Sequence, residues 1–309
     1  MQEKYINFFT DYGFKRLFGS EPSKICLIDF LNGILDGCEK PIVDLQYHNP
    51  RKLGACKVDR KAVFDLFCIS SDGTRFIVEL QKAKQKFFKD RALFYSTFPI
   101  QEQALSGEWD FQLGKVYTIA ILDFIFDEDI EPPEKYHYEV KLLDLKTQKV
   151  FYDKLTFVYL VVRKFNKQRH ELVTNQDKWL YAIKHLSELD SIPEELKNEI
   201  FEKFFKMAEI ARLKPQEKQS YEQSLKYYRD LNNVINTAFD EGKEEGLAEG
   251  EAKGEAKGIA KGTLKTTLEI KFGNFTEPHL RKIDMATLEQ LNVWISKAKT
   301  ARSIDEVFD

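Results

Sequence analysis

The sequence carries little sulfur or histidine chemistry. Its four cysteines, Cys26, Cys38, Cys56 and Cys68, form no C-x-x-C pair and lie near no pair of histidines. That spacing argues against a zinc site and against a disulfide framework. The five histidines, at 48, 137, 170, 185 and 279, show no ligand spacing either. No apolar run is long enough to span a bilayer, and the best of them, VYTIAIL, stops at Asp123. The opening residues MQEKYINFF lack a signal-peptide pattern. These absences predict a reduced, cytoplasmic protein with no membrane partner. Net charge is small as well, −3 over 309 residues, and by itself names no polyanionic partner.

Apolar residues make up 43% of the chain and aromatics 13%, enough for a sizeable core and too much for global disorder. TDYGFKRLFG reads as a short helix that Thr10 or Asp11 can cap, with Phe14, Leu17 and Phe18 on one face. SKICLIDFLNGIL reads as a second helix with Ile25, Ile28, Leu31 and Leu35 inward. PIVDLQYH alternates like a strand. FFKDRALFYSTFPIQEQAL is helical up to Pro99, which should kink or end it. KVYTIAILDF is nearly continuous in apolar residues and predicts a strand buried on both faces. YHYEVKLLDL and LTFVYLVV add two strand candidates. Beyond about Asn175 the pattern is helical, including a long polar helix from Gln216 to about Phe239.

Six glycines, at 242, 246, 250, 254, 258 and 262, then recur every fourth residue. Glycine costs about 1 kcal/mol per site inside a helix, whereas the Ala, Glu and Lys between them favour one. We read the repeat as a partly helical linker; a close-packed helix dimer is the alternative. A homo-oligomer is thereby left open.

The charge is unevenly spread. Between Arg51 and Arg91, eleven Lys/Arg stand against five acids, a local excess of six. Such an island suits a phosphate backbone, and equally an ordinary solvated face. Two acids interrupt its apolar strands, Asp65 in FDLFCIS and Glu79 in FIVELQ, although an unpaired buried charge is costly. A two-residue Asp72-Gly73 turn would put the acids on opposite faces. A three-residue Ser71-Asp72-Gly73 loop puts Asp65 opposite Glu79 and pairs Cys68 with Phe76, Leu66 with Val78 and Phe64 with Leu80, a wholly apolar second face. Only that register gives a clean core face. It brings the two carboxylates to about 5 Å between Cβ atoms. A hard cation such as Mg²⁺ or Mn²⁺ would reconcile two opposed carboxylates lacking Cys or His neighbours; a solvated polar sheet face is the bland alternative.

NFFTDYGFKRLFG, DFLNGIL, VDRKAVFDLFC, FIVELQ and RALFYSTF together resemble the Rpn family of recombination-promoting nucleases, also described as PD-(D/E)XK nuclease family transposases. The resemblance spans most of residues 5–240, and the glycine repeat and tail are similar to that family's C-terminal extension. It implies an α/β fold of the restriction-endonuclease-like PD-(D/E)XK type, a mixed sheet with flanking helices and a metal site on the central hairpin. It also implies a metal-dependent DNA endonuclease using Mg²⁺ or Mn²⁺. In that reading Asp65 and Glu79 hold the ion, with the Leu80 carbonyl as a further ligand. Gln81 stands where the general signature has Lys; it can position water but carries no charge. Lys61, expected on the Asp65 face, could replace the missing cation. Lys82, expected to point away from that face, joins Lys84, Lys86, Lys89, Arg91 and Tyr95 as phosphate contacts; for Arg91 and Tyr95 a solvated Arg and a core-edge Tyr serve equally well. Asp11 could add an acid but is read as a helix cap. The rival readings are a weakly active or inactive DNA-binding or protein-interaction module, and a nuclease acting on RNA.

The expected layout is a nuclease-like core at 1–175, a helical extension at 176–240, the repeat as linker or helix at 241–263, and a small helical tail at 264–309. If the basic island binds DNA through phosphates, affinity falls steeply with salt, because each contact releases counterions. Neutralising Lys84, Lys86 and Lys89 together should flatten the slope of log affinity against log salt; an unchanged slope removes this patch from the interface.

Overall fold

The computed structural model describes residues 3–35, 40–48, 64–104, 110–126, 132, 134–273 and 276–309. The chain divides into two units, residues 1–232 and 233–309. The first unit is built on a six-stranded mixed sheet in the order β1-β2-β3-β4-β6-β5. The strands are β1 Leu45–His48, β2 Leu66–Ser70, β3 Arg75–Gln81, β4 Val116–Leu122, β5 His137–Leu143 and β6 Val150–Val161. β1, β2 and β3 pair antiparallel, as do β5 and β6, while β3–β4 and β4–β6 are parallel. A parallel pair needs a crossover, and helix α3, Phe88–Gln101, provides it between β3 and β4.

Helices cover both faces. On one lie α1 (Asp11–Phe18), α2 (Lys24–Ile34), α4 (Asn175–His185), α5 (Glu199–Ala208) and the start of α6 (Pro215–Phe272). Their apolar residues merge with Leu66, Cys68, Phe76, Val78, Leu80, Ile119 and Leu160 into the main core. On the other face α3 packs on Ala120, Leu122, Phe157 and Tyr159, and on Phe67 and Ile77. β4 is buried at every position, as a central parallel strand between two helical layers must be.

Three expectations change in detail. The inward face of α2 is Cys26, Leu27, Phe30, Leu31 and Ile34, and Ile25 is 44% exposed. The helix turns its stripe toward Trp179, which packs against Phe30, and the Trp179 indole donates to Asp29 at 2.7 Å. The cap of α1 is Thr10, whose hydroxyl accepts from the Gly13 amide, so Asp11 is not spent on capping. Helix α3 runs two residues past Pro99 before it ends.

Helix α6 extends beyond the expected polar helix, through the whole glycine repeat. In the first unit Tyr221 is buried in the main core, with Leu225 and Tyr228 packed against it. In the second unit Ala260, Leu264 and Leu268, spaced by four, form a core with residues of α7 (Glu277–Met285), α8 (Leu288–Thr300) and α9 (Asp305–Phe308). Nothing lies within 4 Å of where a Cβ would stand on any repeat glycine. Gly250→Ala with Gly254→Ala should therefore raise helicity and stabilise the helix by up to ~1 kcal/mol per site. Circular dichroism and light scattering check this; a fall in oligomeric mass would mean that the bare glycine faces pack against another copy.

Candidate active site on the β2–β3 hairpin

The hairpin takes the register in which Leu66 faces Val78, Phe67 faces Ile77 and Cys68 faces Phe76. The Ser70 amide donates to the Thr74 carbonyl at 2.9 Å, leaving Ser71, Asp72 and Gly73 as a three-residue loop. Gly73 has φ +84°, a conformation that costs any other residue about 1–2 kcal/mol. The Asp72 carboxylate braces the turn by accepting from Ser70 Oγ at 2.5 Å and from the Thr74 amide at 3.1 Å. These contacts hold its carboxyl below the usual range, the Ser70 hydroxyl most strongly.

The regular ladder stops at Leu66, one residue before Asp65. Continuing its alternation, the Leu80 amide would donate to the Phe64 carbonyl. It donates instead to the Asp65 carboxylate, at 2.9 Å. Phe64 accordingly leaves the face expected from strict alternation. It packs against Phe67, Tyr95 and Phe98 on the α3 side rather than across from Leu80. Asp65 therefore holds the end of the hairpin and keeps one carboxylate oxygen outside that bond. Burial pushes its carboxyl upward in pKa, the Leu80 amide and nearby Lys15 and Lys82 pull it down, and Asp11 adds to the rise.

Glu79 is 7% exposed, so it has lost most of its water. Burial pushes its carboxyl up to about 7; the Arg91 guanidinium opposes the shift and the Asp65 charge adds to it. Arg91 Nη2 stands 3.7 Å from the Glu79 carboxylate, too far for a full charge-assisted hydrogen bond. Its closer contact is Gln81 Oε1, at 2.6 Å. The guanidinium also reaches Gln85 and lies over the rings of Phe88 and Tyr95, at 5.2 and 5.8 Å. The other end of the Gln81 amide donates to the Ala83 carbonyl at 2.7 Å. Gln81 is thus buried and held at both ends.

Lys82 does not point away from Asp65. Alternation sends it to the face opposite Gln81, where Asp11 and Asp65 are the carboxylates that interact with its ammonium, which burial pulls down in pKa. Its ammonium sits 5.8 Å from the centre of the Tyr227 ring on α6. Lys84 and Lys86, ahead of α3, and Lys89, in its first turn, are exposed, and Tyr95 is half-buried against Phe64. Leu80, next to Glu79 on β3, is buried in the main core. Lys61 lies outside the described residues.

One contributor, Asp11, was read from the sequence as a cap rather than as an acid of the site, and another, Asp123, escaped the sequence reading. Asp11, ion-paired with Lys15 at 2.8 Å, belongs electrostatically to the Asp65 side. Asp123 follows the last residue of β4, and its amide donates to the Gln81 carbonyl at 2.9 Å. Its carboxylate accepts from Arg163 Nε at 2.9 Å and from the Tyr228 hydroxyl at 2.6 Å, which ties α6 to the sheet. The signal for Asp123 was its position: an acid at the carboxyl end of a buried parallel strand lies where such sheets place their sites.

Among the described residues no group of three or more His, Cys, Asp or Glu is gathered closely enough to hold a metal ion. The donor set at the hairpin is two carboxylates, neutralised only in part. That fits a hard cation that keeps several waters and completes its shell with substrate oxygens, as Mg²⁺ does.

A mixed sheet with helices on both faces, whose central hairpin carries an Asp just before β2 and a Glu within β3, is the arrangement of a PD-(D/E)XK nuclease-type protein. The chain belongs to the PD-(D/E)XK nuclease family transposases, whose family model matches residues 8–238. No curated protein and no solved structure matched it. No described helix is long and apolar enough to cross a membrane.

The raised carboxyls fix a sign for stability. Folded Glu79 holds its proton up to about 7, against an ordinary value of 4.5, so the folded state binds more protons between these values. Stability without divalent metal should fall as pH rises from about 4.5 to about 7, and Asp65 contributes in the same direction. The Glu79 share is on the order of 3 kcal/mol. Glu79→Gln should remove most of that slope and raise Tm at pH 8 in EDTA; a slope equal to wild type would mean that Glu79 is ionised in the fold.

Proposed function

We propose that this chain is a metal-dependent DNA endonuclease of the recombination-promoting, transposase-like kind. The observation that carries the reading is the hairpin itself. Asp65 is fixed by the Leu80 amide, Glu79 is buried beside it with incomplete compensation, and both carboxyls are driven upward in pKa. A divalent cation, Mg²⁺ or Mn²⁺, would be held by Asp65 and Glu79, with the Leu80 carbonyl as a further donor. When bound, it would lower the pKa of a coordinated water and neutralise charge on a phosphodiester.

The chain's own groups supply the rest. Glu79 releases its proton near neutrality, so the site becomes competent for a cation as pH passes about 7. Gln81, clamped by Ala83 and Arg91, keeps Arg91 beside the acids, where its charge can meet a phosphate once Gln85 lets go. Arg91, bonded to the Gln81 amide at 2.6 Å, is the described cation at the place of the missing signature lysine, while Lys82 interacts with Asp65 and Asp11. The exposed Lys84, Lys86 and Lys89 are placed to hold flanking phosphates.

A second reading is supported by one observation: both ends of the Gln81 amide are engaged by the protein, Oε1 by Arg91 and Nε2 by the Ala83 carbonyl, so its orientation is set by these contacts rather than by a catalytic water. On that reading the fold binds DNA or a protein and cleaves weakly or not at all.

Supercoiled plasmid separates the two. Wild type should nick it with Mg²⁺ and not in EDTA, with a rate that climbs between pH 6 and 8. Asp65→Asn should lose cleavage by about 100-fold or more, since one of two charges on the ion is gone. A folded Asp65→Asn protein that nicks at the wild-type rate removes the catalytic assignment. A wild type that binds DNA and never nicks supports the binding module.

A further inference from the structure

An aromatic cavity lies beside the lysines that precede and open α3. Resting on the nuclease reading, and naming the substrate form it would prefer, we propose that the α3-facing side of β5 and β6 is a platform for unpaired bases of single-stranded DNA, fed by the lysines of the β3–α3 segment.

Two cavities adjoin there. One, of about 350 Å³, is lined by Lys84, Lys86, Lys89 and Asp90 with Phe88 and Phe126. The other, of about 420 Å³, is floored by Phe157 and Tyr159 and walled by Phe126 and Tyr138. They share Lys89 and Phe126, so the charged cavity opens onto the aromatic one. Among the described residues three cations and one acid line the first cavity, a lining that complements a phosphate chain; rings beside them complement bases, which all have a π-face.

Part-exposed Phe126 and Tyr138 stand over a largely buried floor of Phe157 and Tyr159. Phe157 and Tyr159 project from the same face of β6, within 6° of parallel and 6.4 Å apart. Tyr138 stands directly across from Tyr159 on β5. Phe126 meets Tyr159 edge-on at 5.8 Å and carries the Lys89 ammonium 4.9 Å from its centre. Leu93 and Val140 complete the rim, exposed at 53% and 47%.

An independent feature points the same way. Phe87, at the junction of the lysine segment and α3, has φ 61° and is 67% exposed. A left-handed conformation at a bulky residue is a strained state, and here it displays a ring to solvent under the Lys86 ammonium, 5.3 Å away. The fold therefore holds out an aromatic ring, with a cation over it, where burial would have been the cheaper choice.

The platform is linked to the acid pair through one ring. Phe88 lies under the Arg91 guanidinium on one side and meets Phe126 and Tyr159, at 6.3 and 6.2 Å, on the other. A strand whose bases rest on Phe126 and Tyr138 would run past Lys89 toward Arg91 and Glu79. A fully paired duplex cannot offer its bases to these rings without unpairing.

Fluorescence anisotropy in EDTA, where no cleavage occurs, tests this with two probes, a labelled oligothymidylate and a blunt duplex of equal length. Wild type should bind the single strand more tightly. Phe126→Leu with Tyr138→Leu keeps the cavity apolar and removes two π-faces; it should weaken single-strand binding by at least about 10-fold more than duplex binding. Equal weakening of both probes, or an unchanged single-strand affinity, overturns the platform. A measurement on wild type guards against misfolded variants: a 5-iodouracil-substituted strand should photocrosslink at Phe126, Tyr138, Phe157 or Tyr159, and crosslinks confined to other residues overturn it too. Ring-independent binding with Mg²⁺-dependent nicking intact removes the platform alone. Ring-dependent binding without nicking removes the nuclease reading and leaves the platform standing.

Discussion

One hydrogen bond organises the centre of this molecule, from the Leu80 amide to the Asp65 carboxylate. A side chain takes over a ladder position that a backbone carbonyl would otherwise fill, so the strand can end without orphaning a buried amide. The same contact makes an acid tolerable at the edge of the core, because the amide returns part of the solvation that burial removes. Phe64 is released by the same substitution and goes to the α3 layer, where it meets Tyr95 and Phe98. Strand end, acid placement and helix packing are thus one event.

The other acid depends on the crossover. β3 and β4 run parallel, so the chain must leave the sheet after Gln81 and return, and α3 is the route back. That route carries Arg91 over Glu79 and Gln81. Burial keeps Glu79 proton-hungry, and Arg91, which shares itself among Glu79, Gln81, Gln85 and two rings, opposes that only in part. The opposite side is closed by α6, which delivers Tyr227 to Lys82 and Tyr228 to Asp123. A helix that reads in sequence as an appendage therefore supplies two of the residues around the hairpin's end.

The legible parts were those set by local chemistry. Alternation and the Ser-Asp-Gly loop yielded the hairpin register, and an unbroken apolar run yielded β4. The inward face of α2 was misjudged because nearly all its positions are apolar, so periodicity had no contrast to work with; Trp179, distant in sequence, chose the face. Phe64 was misplaced because alternation assumes a strand that continues, whereas Asp65 ends it. The partners of Arg91 and Lys82 were not legible, since they depend on how α1, α3 and α6 meet the sheet. The glycine repeat was underestimated as helix because propensity charges each glycine separately, while Ala, Glu and Lys between them carry the helix through.

The loop at Ser71, Asp72 and Gly73 has a consequence for how such a gene can vary in length. It acts as a reading frame for the site. If the three-residue form of the loop were kept, one residue added there would slide β3 against β2 by one position, so that Leu66 met Ile77 and Glu79 changed faces. Every apolar residue of β3 would change layers with it. Insertions and deletions are therefore far less tolerable in this exposed turn than in the equally exposed stretch of α6, where added residues rotate and lengthen a helix without moving the hairpin. Solvent exposure alone would rank the two segments alike; the parity of the strands separates them.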